Sequence, residues 1–339
     1  MQRSVTELAT TRVRSALLVL DAAAKVGIGE AALLRTVGLT REQLGPPDGL
    51  IEYRYVRDLW DAAARLARDS CFGLHAARRQ SASTYGLVGF ALRSCADGGA
   101  ALERGIEWVR RLVPDSEIEL AIDGGEACFR FRYRPPILAS RHEIDYFMAT
   151  FMTESRRFTG VDWDPGAVAF QYAKPEHTEE HERIFRSPLH FGADWNAVRF
   201  APGLLELPLR QADPELCAVL EKEIQQFLAQ LPPEPSVTVR VRDVLSRAVQ
   251  RSEPPLEVVA GVLGLAPRSL QRQLREEGTT YQAILDGMRC GLAYLYLGQR
   301  GLRVDEVARR LGFRDSSAFG RAFRRWTGTS PAAYRDRHP

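Results

Sequence analysis

Gly312-Phe313-Arg314-Asp315-Ser316-Ser317-Ala318-Phe319-Gly320-Arg321-Ala322-Phe323-Arg324-Arg325-Trp326 carries a turn, a helix start and a two-faced helix within fifteen residues. Gly312 supplies the left-handed conformation that a sharp chain reversal demands. Asp315 is placed to cap the helix that follows. Phe319 and Phe323 recur at i and i+4, so one stripe of that helix is buried. Ser316, Ser317, Arg321, Arg324 and Arg325 are left on the side that faces away. Just upstream, Val307-Ala308-Arg309-Arg310-Leu311 reads as a short amphipathic helix, and the whole is a helix-turn-helix.

The same pattern occurs once more, earlier in the chain. Val259-Ala260-Gly261-Val262-Leu263-Gly264-Leu265 precedes a helix with Pro267 in its first turn and Leu270 and Leu274 on its buried stripe. Ala260 corresponds to Ala308 at an offset of 48, Leu270 to Phe319 at 49 and Gly278 to Gly328 at 50. The units span about 255–278 and 303–328. Opposite the first buried stripe lie Arg268, Gln271, Arg272 and Arg275. Arg suits guanine O6 and N7, Gln suits adenine, and Ser suits a base edge or a phosphate. An ordinary solvated face would carry similar residues, but charge separates the two readings. From Ser236 to Pro339 there are 18 Arg, no Lys and ten acidic residues, a balance of +8. The whole chain is only +3, so residues 1–235 carry −5. A concentrated positive field of this kind is what phosphate neutralisation requires.

The stretch from Gly312-Phe313 through Asp315, Ser317, Phe319, Arg321, Phe323, Gly328, Ser330-Pro331 and Tyr334-Arg335 resembles the signature of the AraC/XylS family of bacterial transcription regulators. The likeness runs from about Ser236 to Arg337. It implies seven helices, with two helix-turn-helix units held by a connecting helix at Tyr281 to Leu297. It further implies base reading by Arg268, Gln271 and Arg272 in one unit and by Ser316, Ser317 and Arg321 in the other, with Arg275, Arg324 and Arg325 on phosphates. The implied partners are double-stranded promoter DNA, RNA polymerase, an unknown small-molecule effector and a second copy of the chain as a homodimer. Ala266 departs from the family, which often has a hydroxyl residue as cap there. Two recognition helices on one face of a duplex would address subsites about 10 base pairs apart.

The expected division is a regulatory domain at 1–231, a proline-rich linker at 232–236 and a DNA-binding domain at 237–339. Pro232, Pro233 and Pro235 cannot continue a helix and favour an extended spacer. Before them Pro214 to Gln230 reads as a helix, and after them Val237 to Gln250 reads as the first helix of the reader. The larger part predicts an α+β fold, followed by an all-α reader. Helical spacing covers Arg14 to Lys25, Ile28 to Val37, Tyr53 to Ser70, Leu87 to Ser94 and Gly99 to Val113. Strands are expected to begin only at Ile118, in a hairpin of Ile118 to Ile122 and Ala127 to Arg134 around Gly124-Gly125. Ser140 to Phe158 returns to helix and Ala167 to Tyr172 to strand, and Ala197 to Ala201 with Leu204 to Leu207 suggests a second hairpin. Over roughly 14–207 this part resembles the effector-sensing domain of the arabinose-binding-like, non-cupin branch of AraC-type regulators. The carriers are Tyr85-Gly86-Leu87-Val88-Gly89, Pro175-Glu176-His177 and the run Pro188 to Ala193.

Other chemistry is thinly represented. His177 and His181 stand at i and i+4, a zinc spacing if both lie on one helix. The metalloprotease pattern is missing, because Thr178 stands where a Glu belongs. A metal-dependent enzyme or metal sensor using this pair is the alternative reading. Arg130, Arg132 and Arg134 share one strand face, either a seat for an anionic effector or a solvated sheet surface. Tyr85, Trp60, Trp108 and Tyr146 suit a pocket wall or a filled core. No catalytic constellation and no cofactor motif is present, so neither an enzyme nor a bound cofactor is expected. The five cysteines lack the spacing of a zinc cluster or disulfide framework. Without a signal-peptide core or a long apolar run, the cytoplasm is the expected compartment.

Overall fold

Phe129 and Phe131 alternate with Arg130 and Arg132, and the sheet built on that alternation organises the larger part of the protein. The computed structural model describes residues 10–47, 49–80, 82–113, 116–133, 139–230, 236–248, 254–298 and 302–337. The chain opens with strand β1 (Thr10–Arg12), then α1 (Val13–Ala24), α2 (Glu30–Thr36) and α3 (Arg41–Leu44). Strand β2 (Leu50–Glu52) pairs back on β1, antiparallel. Helices α4 (Tyr53–Ala67), α5 (Phe72–Arg78), α6 (Gly86–Arg93) and α7 (Gly98–Leu112) lead to the hairpin β3 (Ser116–Asp123) and β4 (Glu126–Tyr133). Then come α8 (Arg141–Thr159), β5 (Ala167–Phe170), α9 (Glu179–Phe185), β6 (Leu189–Phe191), β7 (Asn196–Phe200) and α10 (Pro214–Gln230).

The strands assemble in the order β3-β4-β7-β5-β6, antiparallel except for the β5–β6 pair. Phe129 and Phe131 face inward onto α8, Phe129 stacked on Phe151 and Phe131 tilted against Phe147, each pair 4.5 Å apart in ring-centroid distance. On the other face Arg130 pairs with Glu119 at 2.6 Å and Arg132 with Glu117 at 2.6 Å, directly across the hairpin. Both guanidinium groups lie over the Trp195 ring, at 4.7 and 4.2 Å. Cross-strand pairs of this kind stabilise a sheet. They also occupy the two cations that an anionic effector would have needed, so that reading of the Arg face is not supported. Arg134 lies outside the described residues.

Three expectations are corrected. Strands do not wait until residue 118, because β1 and β2 precede α1 and α4; three-residue strands are too short to leave a period in the sequence. Leu204 to Leu207 is not the second arm of a hairpin. Its carbonyls at Leu205 and Leu207 instead accept from the first amides of α7, Gly99 at 2.7 Å and Gly98 at 3.1 Å, satisfying donors that a helix start leaves open. Finally, His177 and His181 share no helix face. Helix α9 starts only at Glu179, so His177 lies before it and is exposed, whereas His181 is 2% exposed. The His181 Nε2 sits 3.1 Å from Asp145 and 3.0 Å from the Tyr172 hydroxyl, within a buried polar cluster. Among the described residues no group of His, Cys, Asp and Glu converges as a metal site, and no helix is long and apolar enough to cross a membrane.

The remaining calls stand close to expectation. The β3–β4 hairpin, α8, α10 and the helices before them are present. Trp60 and Trp108 fill cores, while Tyr85 donates to the Tyr146 hydroxyl at 2.9 Å. Helix α10 packs its Ile224 and Leu228 against Trp108 and Ala91. Cys95 and Cys217, distant in sequence, meet as free thiols 3.6 Å apart. The linker residues 231–235 lie outside the described residues.

Helices α5 and α8 cross so closely that a Cβ added at Gly73 would stand 2.0 Å from the His142 carbonyl oxygen. Gly73→Ala is therefore expected to cost roughly 1–3 kcal/mol or more by overpacking, seen as a lowered Tm. Glu143 is buried and accepts hydrogen bonds from the hydroxyls of Tyr53 and of Tyr133, the latter at 3.0 Å. Burial pushes its carboxyl up to about 7, against an ordinary 4.5, and the two tyrosine hydroxyls offset only part of that. The folded state then holds a proton that the unfolded state has released, so stability from this group declines as pH rises between about 4.5 and about 7. Glu143→Gln, which like the protonated acid offers one acceptor oxygen and one donor but does not titrate, is expected to flatten that decline in urea midpoints measured from pH 5 to pH 8.

Candidate nucleic-acid interface

Beyond the linker the chain forms seven helices among the described residues: α11 (Val237–Ala248), α12 (Leu256–Val262), α13 (Pro267–Glu276), α14 (Tyr281–Leu297), α15 (Val304–Arg310), α16 (Ser316–Thr327) and α17 (Pro331–Arg337). The two turns are copies at the level of single hydrogen bonds. Leu265 N–H donates to the Ala260 carbonyl at 2.9 Å, and Phe313 N–H to that of Ala308 at 2.9 Å. Gly264 and Gly312 take φ of +68° and +78°. This is the closing geometry of a helix that stops at a left-handed residue.

Each second helix buries one stripe and exposes the other. Leu270 and Leu274 pack with Val241, Leu245, Val259, Ala260 and the first half of α14 through Ile284, Leu285 and Met288. Phe319, Phe323 and Trp326 pack with Val307, Ala308, Leu311 and the second half of α14 through Cys290, Ala293 and Leu297. One continuous helix thus belongs to both cores. Its 17 residues extend about 26 Å at 1.5 Å each. Glu277, just after α13, accepts from the Val237 and Thr238 amides at 2.7 and 2.9 Å and so ties the start of α11 to the first unit.

All the sequence-derived candidates lie on the outer stripes. Arg268, Gln271, Arg272 and Arg275 on α13 are exposed, as are Ser316, Ser317, Arg321, Arg324 and Arg325 on α16. Arg272 has only a loose pairing with Glu276 at 3.6 Å, which in water is worth little. Ser317, Arg321, Arg324 and Arg325 line, with Gly320, Ser330 and Pro331, a groove of about 500 Å³. The Ser330–Pro331 contribution was not among the candidates. Neither was Asp286 of α14, which holds Arg325 at 3.0 Å and therefore fixes that guanidinium while offsetting its charge. An acid in the connecting helix gives no periodic signal that would have pointed to this pairing. Arg289 of α14 lies over the Phe313 ring at 5.3 Å and braces the second turn.

The helix starts differ as the sequence predicts. Asp315 accepts from the Ala318 amide at 2.7 Å; that bond and Arg314 hold its carboxyl below the usual carboxylate range. Ala266 is also extended but provides no side-chain cap, and Pro267 alone sets the start.

The family model described as the arabinose-binding N-terminal domain of AraC transcription regulators matches residues 27–209, and a helix-turn-helix domain model matches 259–337. The chain is 33% identical over 318 residues to the ornithine utilization regulator of Pseudomonas aeruginosa, covering 94% of each chain. It is 27% identical to the HTH-type transcriptional regulator VirS of Mycobacterium tuberculosis, covering 83% of each. The crystal structure of the transcriptional regulator CdpR from Pseudomonas aeruginosa aligns with a TM-score of 0.42 at 22% identity, over 90% of this chain and 96% of that one.

Adding the missing cap tests the local account. Ala266→Ser is expected to raise the stability of the DNA-binding half by about 1 kcal/mol, read as a raised Tm. Asp315→Ala is expected to lower Tm near neutral pH. Because the Asp315 carboxyl is depressed in the folded protein, its contribution is present above its unfolded pKa and fades as pH falls through the folded one. The two proteins should therefore converge in acid.

Proposed function

This chain belongs to the AraC family of DNA-binding transcription regulators, and we propose that it is an effector-responsive activator whose two recognition helices read successive major grooves of promoter DNA. The observation that carries this reading is the pair of arginine-bearing stripes, both exposed, on helices clamped to one shared rod. Residues 1–231 act as the regulatory part and 237–339 as the reader, joined by the proline-rich segment. Arg268, Gln271 and Arg272 on α13 and Ser316, Ser317 and Arg321 on α16 meet base edges. Arg275 and Arg324 meet phosphates, and Arg325, held by Asp286, presents its remaining donors to a phosphate as a fixed rather than a mobile contact.

Regulation follows if the effector binds one arrangement of the two parts more tightly than another, since only differential affinity shifts an equilibrium. Activation, by contact with RNA polymerase and with a homodimer as the acting form, is the mode that the family resemblance implies, and the compartment is the cytoplasm. We assign no catalytic step to the chain.

Selection of binding sites from random duplexes tests the assignment of readers. Arg272→Ala and Arg321→Ala are each expected to relax preference at one base position and to weaken the selected site by about 1–3 kcal/mol. Arg324→Ala is expected to weaken all sequences alike and to reduce the salt slope by about one. An unchanged selection profile for Arg272→Ala would remove that residue from the readers.

A further inference from the structure

Between α6, α7, α8 and the inner face of the sheet lies a cavity of about 240 Å³. Protein interiors hold few voids larger than a water molecule, and a void of this size lowers stability. The room exists because α7 turns Gly98, Ala101 and Gly105 toward it, small residues where its neighbours carry Leu, Ile and Val. Aromatic rings, among them Phe147, Phe151, Phe158 and Trp163, make up much of the wall.

Of the polar side chains in that wall, Tyr85, Ser155 and Thr159 each donate a hydrogen bond within the protein, while Thr150 and Glu154 stand one helical turn apart on α8 without one. Among the described residues Glu154 is the one charged residue of the lining. Both of its carboxylate oxygens are buried without a hydrogen bond, and the side chain is 12% exposed. Its ion-pair partner, Arg157, approaches Oε1 at 3.0 Å from a half-exposed position. The Thr150 hydroxyl is buried within reach of the Tyr85 and Tyr146 hydroxyls, which bond to each other, and makes no close hydrogen bond of its own. Buried polar groups nearly always find partners: Arg157 serves Oε1 of Glu154, its Oε2 is left to take a donor, and the Thr150 hydroxyl one turn away can donate or accept.

A hydroxyl group answers both, because it donates once and accepts as well. A protonated amine would bring a further cation into an apolar cavity whose one carboxylate is already paired with Arg157, and a carboxylate cannot donate and would bring a second anion to Glu154. We propose that this cavity is a binding site for an apolar alcohol or phenol, its hydrocarbon body against the aromatic wall, its hydroxyl donating to Glu154 and accepting from Thr150. The volume suits a body on the order of ten non-hydrogen atoms, being about eight water volumes of ~30 Å³. This deepens the reading of residues 1–231 as an effector domain and rests on it for its regulatory meaning, though not for its chemistry.

The test is calorimetric titration and thermal shift of the full chain with 4-propylphenol, propylbenzene and 4-propylbenzoate. The phenol is expected to raise Tm and to bind about tenfold more tightly than the hydrocarbon, the worth of a hydrogen bond near the upper end of its ordinary range. Thr150→Val and Glu154→Met should each reduce phenol affinity toward that of propylbenzene while leaving the hydrocarbon's own affinity in place. Thr150→Val is close to isosteric and keeps the test available if Glu154→Met fails to fold. Equal affinity for phenol and hydrocarbon, tighter binding of the benzoate, or no binding of any probe up to its solubility would each overturn the proposal. Any of these would leave the DNA-binding reading intact, since site selection is run without a probe. Phenol binding that alters neither promoter occupancy nor transcription would support the site and count instead against effector-responsive activation.

Discussion

Everything in the DNA-binding half depends on α14 being buried at both of its ends in two different cores. A short amphipathic helix cannot hold itself in water, and neither recognition helix has more than one stripe to bury. Each therefore borrows its position from the same rod, α13 through Leu270 and Leu274 and α16 through Phe319, Phe323 and Trp326. Because the rod is a single helix, the two outward stripes cannot rotate independently. That constraint turns two weak helix-turn-helix patterns into one surface of fixed spacing. The accessory contacts all reinforce it: Asp286 and Arg289 reach from α14 to the second unit, and Glu277 ties α11 to the end of α13.

The first body is held differently. Its sheet is covered on one side by α8 through stacked phenylalanines, and its other side is closed by a charge ladder over Trp195 rather than by a second layer. The interior also takes in an unusual share of polar groups: Glu143 between two tyrosines, and Asp145 with Tyr172 and His181. Buried polar networks of this kind favour one arrangement of the elements around them, at some cost in stability. Helix α8 carries both Glu143 and Asp145, and between one and three turns further on it also carries Thr150 and Glu154. The same helix thus faces the polar interior near its start and the apolar cavity near its end.

How much of this was legible in the sequence follows from how local each feature is. The reader was legible almost completely: a turn glycine, a cap at Asp315 and an i, i+4 stripe are encoded within a dozen residues, and α14 begins and ends at the residues the family resemblance assigns. The β3–β4 hairpin was legible for the same reason, since alternation and Gly124-Gly125 are neighbours in the chain. What escaped was non-local. The cavity draws on α6, α7, α8, three strands and a turn near Leu204, and no spacing rule links Tyr85 to Glu154. His177 and His181 misled because a spacing speaks only when a helix spans it, and α9 begins between them. Leu204 to Leu207 looked like a strand because its composition is that of one, whereas its backbone serves the start of a distant helix.

The strand order has a consequence for how the protein is made. Strand β4 pairs on its second edge with β7, whose last residue, Phe200, leaves the ribosome long after Tyr133. At roughly 5–20 residues per second the hairpin waits several seconds with one row of amides and carbonyls open to any passing extended chain. Helix α8, emerging in that interval, can sheathe Phe129 and Phe131 but cannot occupy the open row. The nascent protein is thus most vulnerable to mispairing while residues 134–195 are being translated, and the DNA-binding half, whose contacts are local, is synthesised only after that hazard has passed.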